Sequence, residues 1–565
     1  MSKNNLSRRD FLKTATLGAA GLATLGVSGA LAEETKSTKP IINEPKTWDH
    51  ECDVLAIGTG TSMYGVIKAA NAGLDVLVID ANMVAGGAAG FSGATLWLPN
   101  NKMAREQYGD SREKAMAYLK HGIGFSNTNE EDINAFLDNI DPMLDFIDPM
   151  LRSTSFDLGC VVSPNLGDYH ASWEGGLPVG RSIDWRKGKT TDVPTDRHAW
   201  RQAYIEAAER EGAKIMLQTT AKKFVFRMQE NEVPEVLGVI AEDKDGNEIA
   251  IKAKKAVLLA SGGFEWNQSY VKDYLDQPDL YPFSFNTNKG YGLEMAISVG
   301  ARLTNMSRFW GATTLKDAAV RQREEGSMSN WMHARYKPHS MMVNKTGRRF
   351  MNEACDYNTA GRMFNRRESY LNNELENLPC WMIFDQQHLD NGYFVISYIN
   401  DELDERGVYS FVKSANTLEE LADMIDVPKE SLTDEVARFN TFVENGKDED
   451  FHRGEDPHDL IFFQDPTTPH TISRTLGKIE QGPFYAVEVA PMTLGTCGGP
   501  KINKHAQVMH ISGEPVARLY ACGNVTGFGG PGSVYGGAGG TLGPGFVMGY
   551  AAAAHMVESK PEDWA

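Results

Sequence analysis

Tyr535 stands in the stretch Pro531 to Tyr550, where one reactive side chain is surrounded by more glycine than anywhere else in the chain. A phenol can donate a hydrogen bond to an oxygen that gains negative charge, and a backbone without Cβ atoms can press its N–H groups against the same ligand. Glycine carries an entropic cost that most loops avoid, so the pattern points to a bound molecule. A flexible linker is the weaker reading, because linkers do not carry Val534, Tyr535, Leu542, Phe546 and Met548 among their glycines. From Phe546 to Met556 the residues are small and apolar, which predicts a buried helix with its N-terminal amides facing a polar group. Thr541 and Leu542, at its approach, are candidate cofactor contacts.

Such a loop needs a frame. Cys52 to Ile57 reads as a short apolar strand running into Gly58-Thr-Gly60, followed by a helix from about Ser62 to Ala72 and a second strand, Asp75 to Ile79, that ends in Asp80. Strand, glycine turn, helix, strand and acid in that order form a dinucleotide-binding βαβ unit, with Asp80 placed for the ribose hydroxyls. The third glycine position of the fingerprint is Met63, and Gly65 is near enough to help helix and strand approach. A second cluster, with Gly86, Gly87, Ser92 and Gly93, follows Asp80 directly. FAD lies extended and needs close backbone approach at both its pyrophosphate and its isoalloxazine ring, whereas NAD folds usually lack such a cluster. Two more buried strands end in turns, one in Gly262-Gly263 and one in Gly523-Asn524, and ligands of open α/β sheets bind at the carboxyl ends of strands. FAD is therefore the expected cofactor.

With 565 residues, 41% apolar and 10% aromatic, the chain can bury a large core divided over two or more domains. The formal net charge is −19, and because the first 32 residues carry +3 the remainder carries −22, which argues against nucleic acid as a partner. Ser7-Arg8-Arg9-Asp10-Phe11-Leu12-Lys13, the weakly apolar run Thr14 to Leu31 and the site Ala30-Leu31-Ala32 give residues 1–32 the layout of a twin-arginine export signal. That route carries folded proteins to the periplasm, typically with a cofactor already inserted. Residues 33–49 are polar and read as a disordered linker. No later stretch reaches about 20 uninterrupted apolar residues, so no permanent membrane anchor is expected. The six cysteines form no Cys-x-x-Cys pair, so neither a zinc site nor a covalent haem is expected, and no metal.

Residues 102–155 are helical in pattern and read as cover for the cofactor, and Asp168-Tyr169-His170 lies on a loop with one reactive phenol. Beyond about residue 277 the pattern changes to mixed helices, short strands and long loops, until strand character resumes at Gly482-Pro483. The expected fold is α/β with α+β features. A split Rossmann-like FAD-binding domain occupies 50–277 and 482–565, and a catalytic or capping domain, 278–481, is inserted between its halves.

From about residue 50 to its end the chain resembles the flavoprotein family of fumarate reductases and 3-ketosteroid dehydrogenases, and is closer to the ketosteroid branch. The residues that carry the resemblance are Gly58-Thr-Gly60 with Asp80, Arg349-Phe350-Met351-Asn352-Glu353, Phe484 to Val487 through Gly495 to Gly499, Leu519 to Asn524, and Tyr535 to Pro544. The resemblance implies an FAD-dependent oxidoreductase working on a CH–CH bond beside a ketone, by desaturation or the reverse ene reduction, on a 3-ketosteroid or similar cyclic enone. In ketosteroid dehydrogenases a tyrosine and a backbone amide four residues later polarise the ketone, a pair that falls on Tyr535 and Gly539. A second tyrosine, just after the Arg-Phe-x-Asn-Glu motif, moves a proton beside the ketone and matches Tyr357. A third supports it from the cofactor domain and matches Tyr169. The family's Tyr-Pro-Gly-Pro-Gly reads Tyr-Gly-Gly-Ala-Gly here. A phenol is a poor base at neutral pH, so a tuned tyrosine is expected. The rival inside the fold is a fumarate-type reductase of an unsaturated carboxylate, which clamps the acid with charged donors such as Arg362, Arg366 or Arg367. A non-catalytic flavin-binding protein is the alternative of another class. With no second dinucleotide fold or haem motif in the sequence, electrons are expected to pass to or from another protein or a quinone.

Overall fold

In the computed structural model, His50–Ile57 is a strand whose second half, Val54 to Ile57, is apolar on both faces and buried, as a strand in the middle of a parallel sheet must be. The structure describes residues 39–123, 130–188, 196–277, 279–367, 374–461, 474–528 and 535–560, so the expected export signal lies outside the described residues. His50–Ile57 pairs in parallel with Val76–Ile79, Ala56 opposite Val78, and with the last part of Glu248–Leu259, Leu258 opposite Ala56. Lys214–Met216 and Pro515–Ala521 extend the parallel set on either side. The antiparallel strands Thr220–Met228 and Pro234–Glu242 belong to the same sheet, which counts nine strands among the described residues. The parallel strands end at one edge, and Gly58, Asp80, Ala260 and Cys522 are delivered there in a row.

The helices Met63–Asn71 and Leu542–Glu558 pack against each other over this sheet. Gly65 explains how they come so close, since a Cβ there would lie 2.3 Å from the Gly549 carbonyl oxygen and 3.5 Å from the Leu258 side chain. Its main work is therefore to bring helix against helix, with the strand behind. Gly65→Ala is expected to force the Leu542–Glu558 helix away from the sheet, lowering both the melting temperature and the ratio of flavin to protein absorbance. Wild-type values of both would show that the helices separate at no cost.

A six-stranded sheet among the described residues carries the rest of the site. Phe484–Thr496 is its spine, pairing with Cys380–Asp385 and with Phe309–Leu315. The sequence reading placed this strand in the returning cofactor domain. Its partners put it in the second sheet instead, and the chain re-enters the first sheet only with Gln507–Met509 and Pro515–Ala521. The linker expectation also changes. Ile41–Ile42 pairs with Thr220–Met228, Ile41 opposite Arg227, and Asp49 exchanges hydrogen bonds of 2.9 and 2.8 Å with Ala250. Residues 41–49 are held because Ile41 and Trp48 find apolar partners in Val225, Ile240 and Ala250.

Candidate active site

The carboxyl edge of the parallel strands opens into a cleft of about 1380 Å³ outside the protein atoms, its mouth included. Gly58, Gly60, Asp80, Gly87, Ser92, Gly262, Asn524, Thr541 and Leu542 are among the residues that line it. Gly58 has φ +105° and a Cβ there would sit 2.3 Å from the Ala260 carbonyl oxygen, so no other residue fits the turn. One Asp80 oxygen accepts bonds from the Thr59 N–H (2.8 Å) and hydroxyl (2.6 Å), and the other from the Asn82 N–H (2.8 Å) and side-chain amide (3.0 Å). Four bonds fill a carboxylate's acceptor sites. A ribose hydroxyl would engage Asp80 only by replacing one of the two side-chain donors, Thr59 or Asn82.

Gly86, Gly93, Gly263 and Gly523 do not line the cleft. Gly86 donates to the Thr59 hydroxyl at 2.8 Å and makes room for the Arg201 side chain, 2.6 Å from where its Cβ would be. Gly263 and Gly523 make room for the hydroxyls of Thr496 and Thr61, each 2.3 Å from the would-be Cβ, and Gly93 has open space there. Gly86, Gly263 and Gly523 make room for protein side chains. The lining that remains, the backbone of Gly58, Gly60, Gly87 and Gly262 together with Asp80, Asn524 and Thr541, suits a dinucleotide that needs close backbone approach.

Next to Thr541, which bonds the Tyr535 hydroxyl, lie the three expected tyrosines, brought together from residues far apart in sequence. Tyr169, Tyr357 and Tyr535 belong to one buried cluster with Trp310, Ala312, Met492 and Cys497. The rings of Tyr169 and Tyr535 stack at 5.3 Å and 7°, and Tyr357 meets both edge-on at 5.2 and 5.1 Å. The Tyr357 hydroxyl donates to the Tyr535 hydroxyl at 2.6 Å. Burial pushes the Tyr535 hydroxyl up to about 12. It also pushes Tyr357 and Tyr169 well above the ordinary phenol value, Tyr357 further through its two tyrosine neighbours. The tuning expected of a base is thus in the opposite direction, and all three are neutral phenols at rest.

Each tyrosine is held by a buried polar anchor. Asp168 accepts from the Trp97 indole N–H (2.8 Å), the Leu177 N–H (2.9 Å) and Arg181 (2.8 Å), and Arg181 forks onto Asp110. Burial raises the Asp168 carboxyl to about 6 against the pull of Arg181. Next to it the Tyr169 N–H and the Tyr118 hydroxyl both donate to the Gly536 carbonyl, at 2.9 and 2.7 Å, which docks the glycine loop. Gly536 stands where the family's pattern has proline, and Trp97 lies 2.3 Å from its would-be Cβ and 2.5 Å from that of Gly537, so the loop runs flat over the indole. Gly539, at φ +90°, accepts from the N–H groups of Trp97, Leu542 and Gly543, and among the described residues nothing accepts from its own N–H. Tyr357 opens the short helix Tyr357–Arg362, capped by Asp356, whose carboxylate accepts the Thr359 N–H at 2.9 Å. Of the three arginines considered for an acid clamp, Arg366 pairs with Glu376 and Arg367 with Asp276, while Arg362 has no ion pair among the described residues.

Three residues of the site carry no sequence signal. Trp310 meets Tyr535 edge-on at 5.2 Å and donates its indole N–H to Asn524 at 3.2 Å. His458 sits 4.5 Å from Tyr169, neutral because burial drops it to about 4. Trp97 floors the glycine loop. Only the fold brings them near, and no spacing within the chain announces it.

The chain is 31% identical to the 4-oxocyclohexanecarboxylate 2-dehydrogenase of Sinomonas cyclohexanicum, over 88% of this chain and 92% of that one. It is 30% identical to the 3-oxosteroid 1-dehydrogenase of Mycobacterium tuberculosis, over 90% of this chain and 98% of that one. In fold it is similar to the 3-ketosteroid delta1-dehydrogenase of Sterolibacterium denitrificans, with a TM-score of 0.79 at 24% identity, over 90% of this chain and all of that one. Residues 53–542 match the FAD binding domain family, and the chain belongs to that family as an FAD-dependent oxidoreductase acting on a CH–CH bond beside a ketone.

Proposed function

We propose that the protein exchanges hydrogen between a cyclic ketone and its enone, with Tyr535, Tyr357 and Gly539 at the carbonyl end of the substrate. Held noncovalently in the cleft by Gly58, Gly60, Gly262, Asn524, Thr541 and Leu542, FAD supplies the partner for hydride transfer. The Tyr535 hydroxyl and the Gly539 N–H hold the carbonyl oxygen. The observation that carries the reading is the 2.6 Å bond from Tyr357 to Tyr535, because it sets two neutral phenols in series.

A series of phenols moves a proton without forming a buried phenolate. As the C–H bond beside the carbonyl breaks, its proton goes to the Tyr357 oxygen, the Tyr357 proton passes to the Tyr535 oxygen, and the Tyr535 proton goes to the carbonyl oxygen. The electron pair of the C–H bond becomes the C=C bond of the enol, and each tyrosine ends as a phenol. Raised phenol pKa values are an obstacle to a lone tyrosine base and none to this relay. Tyr169, stacked on Tyr535, keeps the pair aligned and dry. The steroid-type and the smaller cyclohexanone-type ketones named for the relatives both present this grouping.

Under anaerobic conditions, cyclic ketones are expected to bleach the flavin of the purified protein, and enones to restore the colour of the reduced protein. Response to fumarate-type acids alone would overturn the ketone reading. Electrons then pass to or from a separate protein or quinone. We also infer twin-arginine export. Replacing Arg8 and Arg9 with lysine is expected to leave flavin-loaded protein in the cytoplasm, and unchanged export would refute the route.

A further inference from the structure

Glu265 stands in the turn after the strand Glu248–Leu259 as a fully buried carboxylate with no cation beside it. Among the described residues it enters no ion pair, whereas Asp168, Glu353 and Asp448, as deeply buried, each bond an arginine. The Ser284 hydroxyl donates to one of its oxygens at 2.6 Å and the Asn288 amide to the same oxygen at 2.8 Å, while the Thr496 N–H reaches the other at 3.4 Å. Burial raises the carboxyl above its ordinary range, and these donors, with the N–H of Glu265 itself, work against that rise. The frame does not require the charge. Trp266, the next residue, already fastens both ends of segment 284–288, its indole N–H donating to the Ser284 carbonyl at 3.0 Å and its backbone N–H to the Asn288 carbonyl at 3.1 Å. A glutamine would offer Ser284 and Asn288 the same acceptor without the cost of burying an ion. The charge therefore points to what the segment faces, and both Ser284 and Asn288 line the cofactor cleft.

Its neighbours place Glu265 at the tyrosine end of that cleft. A Cβ on Gly495 would lie 2.2 Å from the Asn524 amide nitrogen and 3.8 Å from a Glu265 oxygen, so Asn524 and Glu265 flank one point. Asn524 lines the cleft and takes the Trp310 indole N–H, and Trp310 meets Tyr535 edge-on. Thr496, which donates to Glu265, directly precedes Cys497 of the tyrosine cluster. The carboxylate thus stands behind the wall where the flavin ring has to meet a substrate held by Tyr535. Reduction by hydride turns the neutral flavin ring into an anion. A fixed negative charge nearby, in a medium less polar than water, disfavours that anion.

We propose that the charge of Glu265 lowers the reduction potential of the bound flavin, and so poises the site to give hydride to an enone more readily than to take it from the saturated ketone. The choice of direction rests on the ketone reading above, and the shift in potential does not. Glu265 touches no reacting atom in this account and acts through the wall formed by Ser284, Asn288 and Asn524.

The test is the midpoint potential of the flavin-loaded protein, measured by equilibration with a redox dye in alkaline buffer, where Glu265 is ionised. Glu265→Gln keeps an acceptor for Ser284 and Asn288 and removes the charge. It is expected to raise the potential until reduced flavin gains roughly tenfold over oxidised flavin at a given dye poise, about 30 mV for a two-electron couple. Glu265→Asp keeps the charge on a shorter stem and should stay near the wild-type potential, even where looser bonds to Ser284 and Asn288 lower its flavin content. Ser284→Ala covers the case in which Glu265→Gln loses its flavin, since it removes a neutral donor and leaves the charge, and its potential should lie at or below that of wild type. A wild-type potential in Glu265→Gln, or a rise of the expected size in Ser284→Ala or Glu265→Asp, would overturn the assignment. At one fixed ratio of ketone to enone, Glu265→Gln should also be bleached further than wild type. Should its potential rise while no ketone or enone ever changes the flavin's oxidation state, the assignment of the charge stands and the ketone chemistry falls. Should ketones bleach the flavin while the potential of Glu265→Gln equals that of wild type, the chemistry stands and the assignment falls.

Discussion

Tyr535→Phe is expected to lower ketone turnover by roughly a hundredfold or more, the loss of about 3 kcal/mol of transition-state stabilisation that follows removal of one donor to a developing oxyanion. Phenylalanine keeps the ring that stacks on Tyr169 and meets Trp310 edge-on, so the cluster keeps its shape. The cost to the fold is the loss of the bonds that Tyr357 and Thr541 make to the Tyr535 hydroxyl, about 1 kcal/mol for each buried hydrogen bond removed. Flavin content should therefore match wild type, with a melting temperature only slightly lower. Tyr357→Phe breaks the same relay one step earlier and should cost at least as much. The double variant should be little worse than either single one, since two phenols that pass one proton in series act as a unit. Additive losses would mean that the two hydroxyls serve separate steps, and more than about half of wild-type turnover in Tyr535→Phe would remove it from the carbonyl site.

Much of this site was legible in the sequence because it is built from local signals. The βαβ unit reads from Val54 to Asp80 without gaps, and the structure puts its turn at the head of the cleft. Tyr535 stood out by its glycines, and Tyr357 and Tyr169 came through resemblance, and the three rings do meet. Other parts were illegible for a physical reason, which is that glycine looks the same whether it admits a ligand or a side chain. Gly86, Gly263 and Gly523 were read as cofactor contacts and turn out to accommodate Arg201, Thr496 and Thr61. The strand Phe484–Thr496 follows the same rule, since an apolar run tells that a strand is buried and not which sheet it joins. Trp310 and His458 owe their place to pairings hundreds of residues apart, which no pattern within a window can express.

Arg349→Met is expected to do the opposite of Tyr535→Phe, removing folded, flavin-loaded protein without touching a reacting atom. Arg349 lies in the motif before Tyr357 and donates to Glu353 at 2.8 and 2.7 Å and to Asp448 at 3.1 and 2.8 Å, with all three side chains fully buried. Attraction to Glu353 and Asp448 holds the Arg349 charge in place against its desolvation, and the Glu353 carboxyl stays below its usual range despite burial. Methionine fills the volume and leaves two carboxylates in the core, with Arg453, 3.3 Å from Glu353, as the one remaining counter-ion among the described residues. Breaking a buried pair from one side costs about 3 to 5 kcal/mol, a large fraction of the stability of a typical fold. The damage should reach the active site through the backbone, because the Glu353 and Cys355 carbonyls are bonded by Arg335 and lead straight into Asp356 and Tyr357. Soluble yield, melting temperature and flavin content should therefore fall together, while the turnover of whatever molecules retain flavin stays within a few-fold of wild type. If Arg349→Met instead gave full flavin content with turnover reduced a hundredfold, the arginine would act on the substrate, and the motif would belong to the chemistry and not to the frame that holds Tyr357.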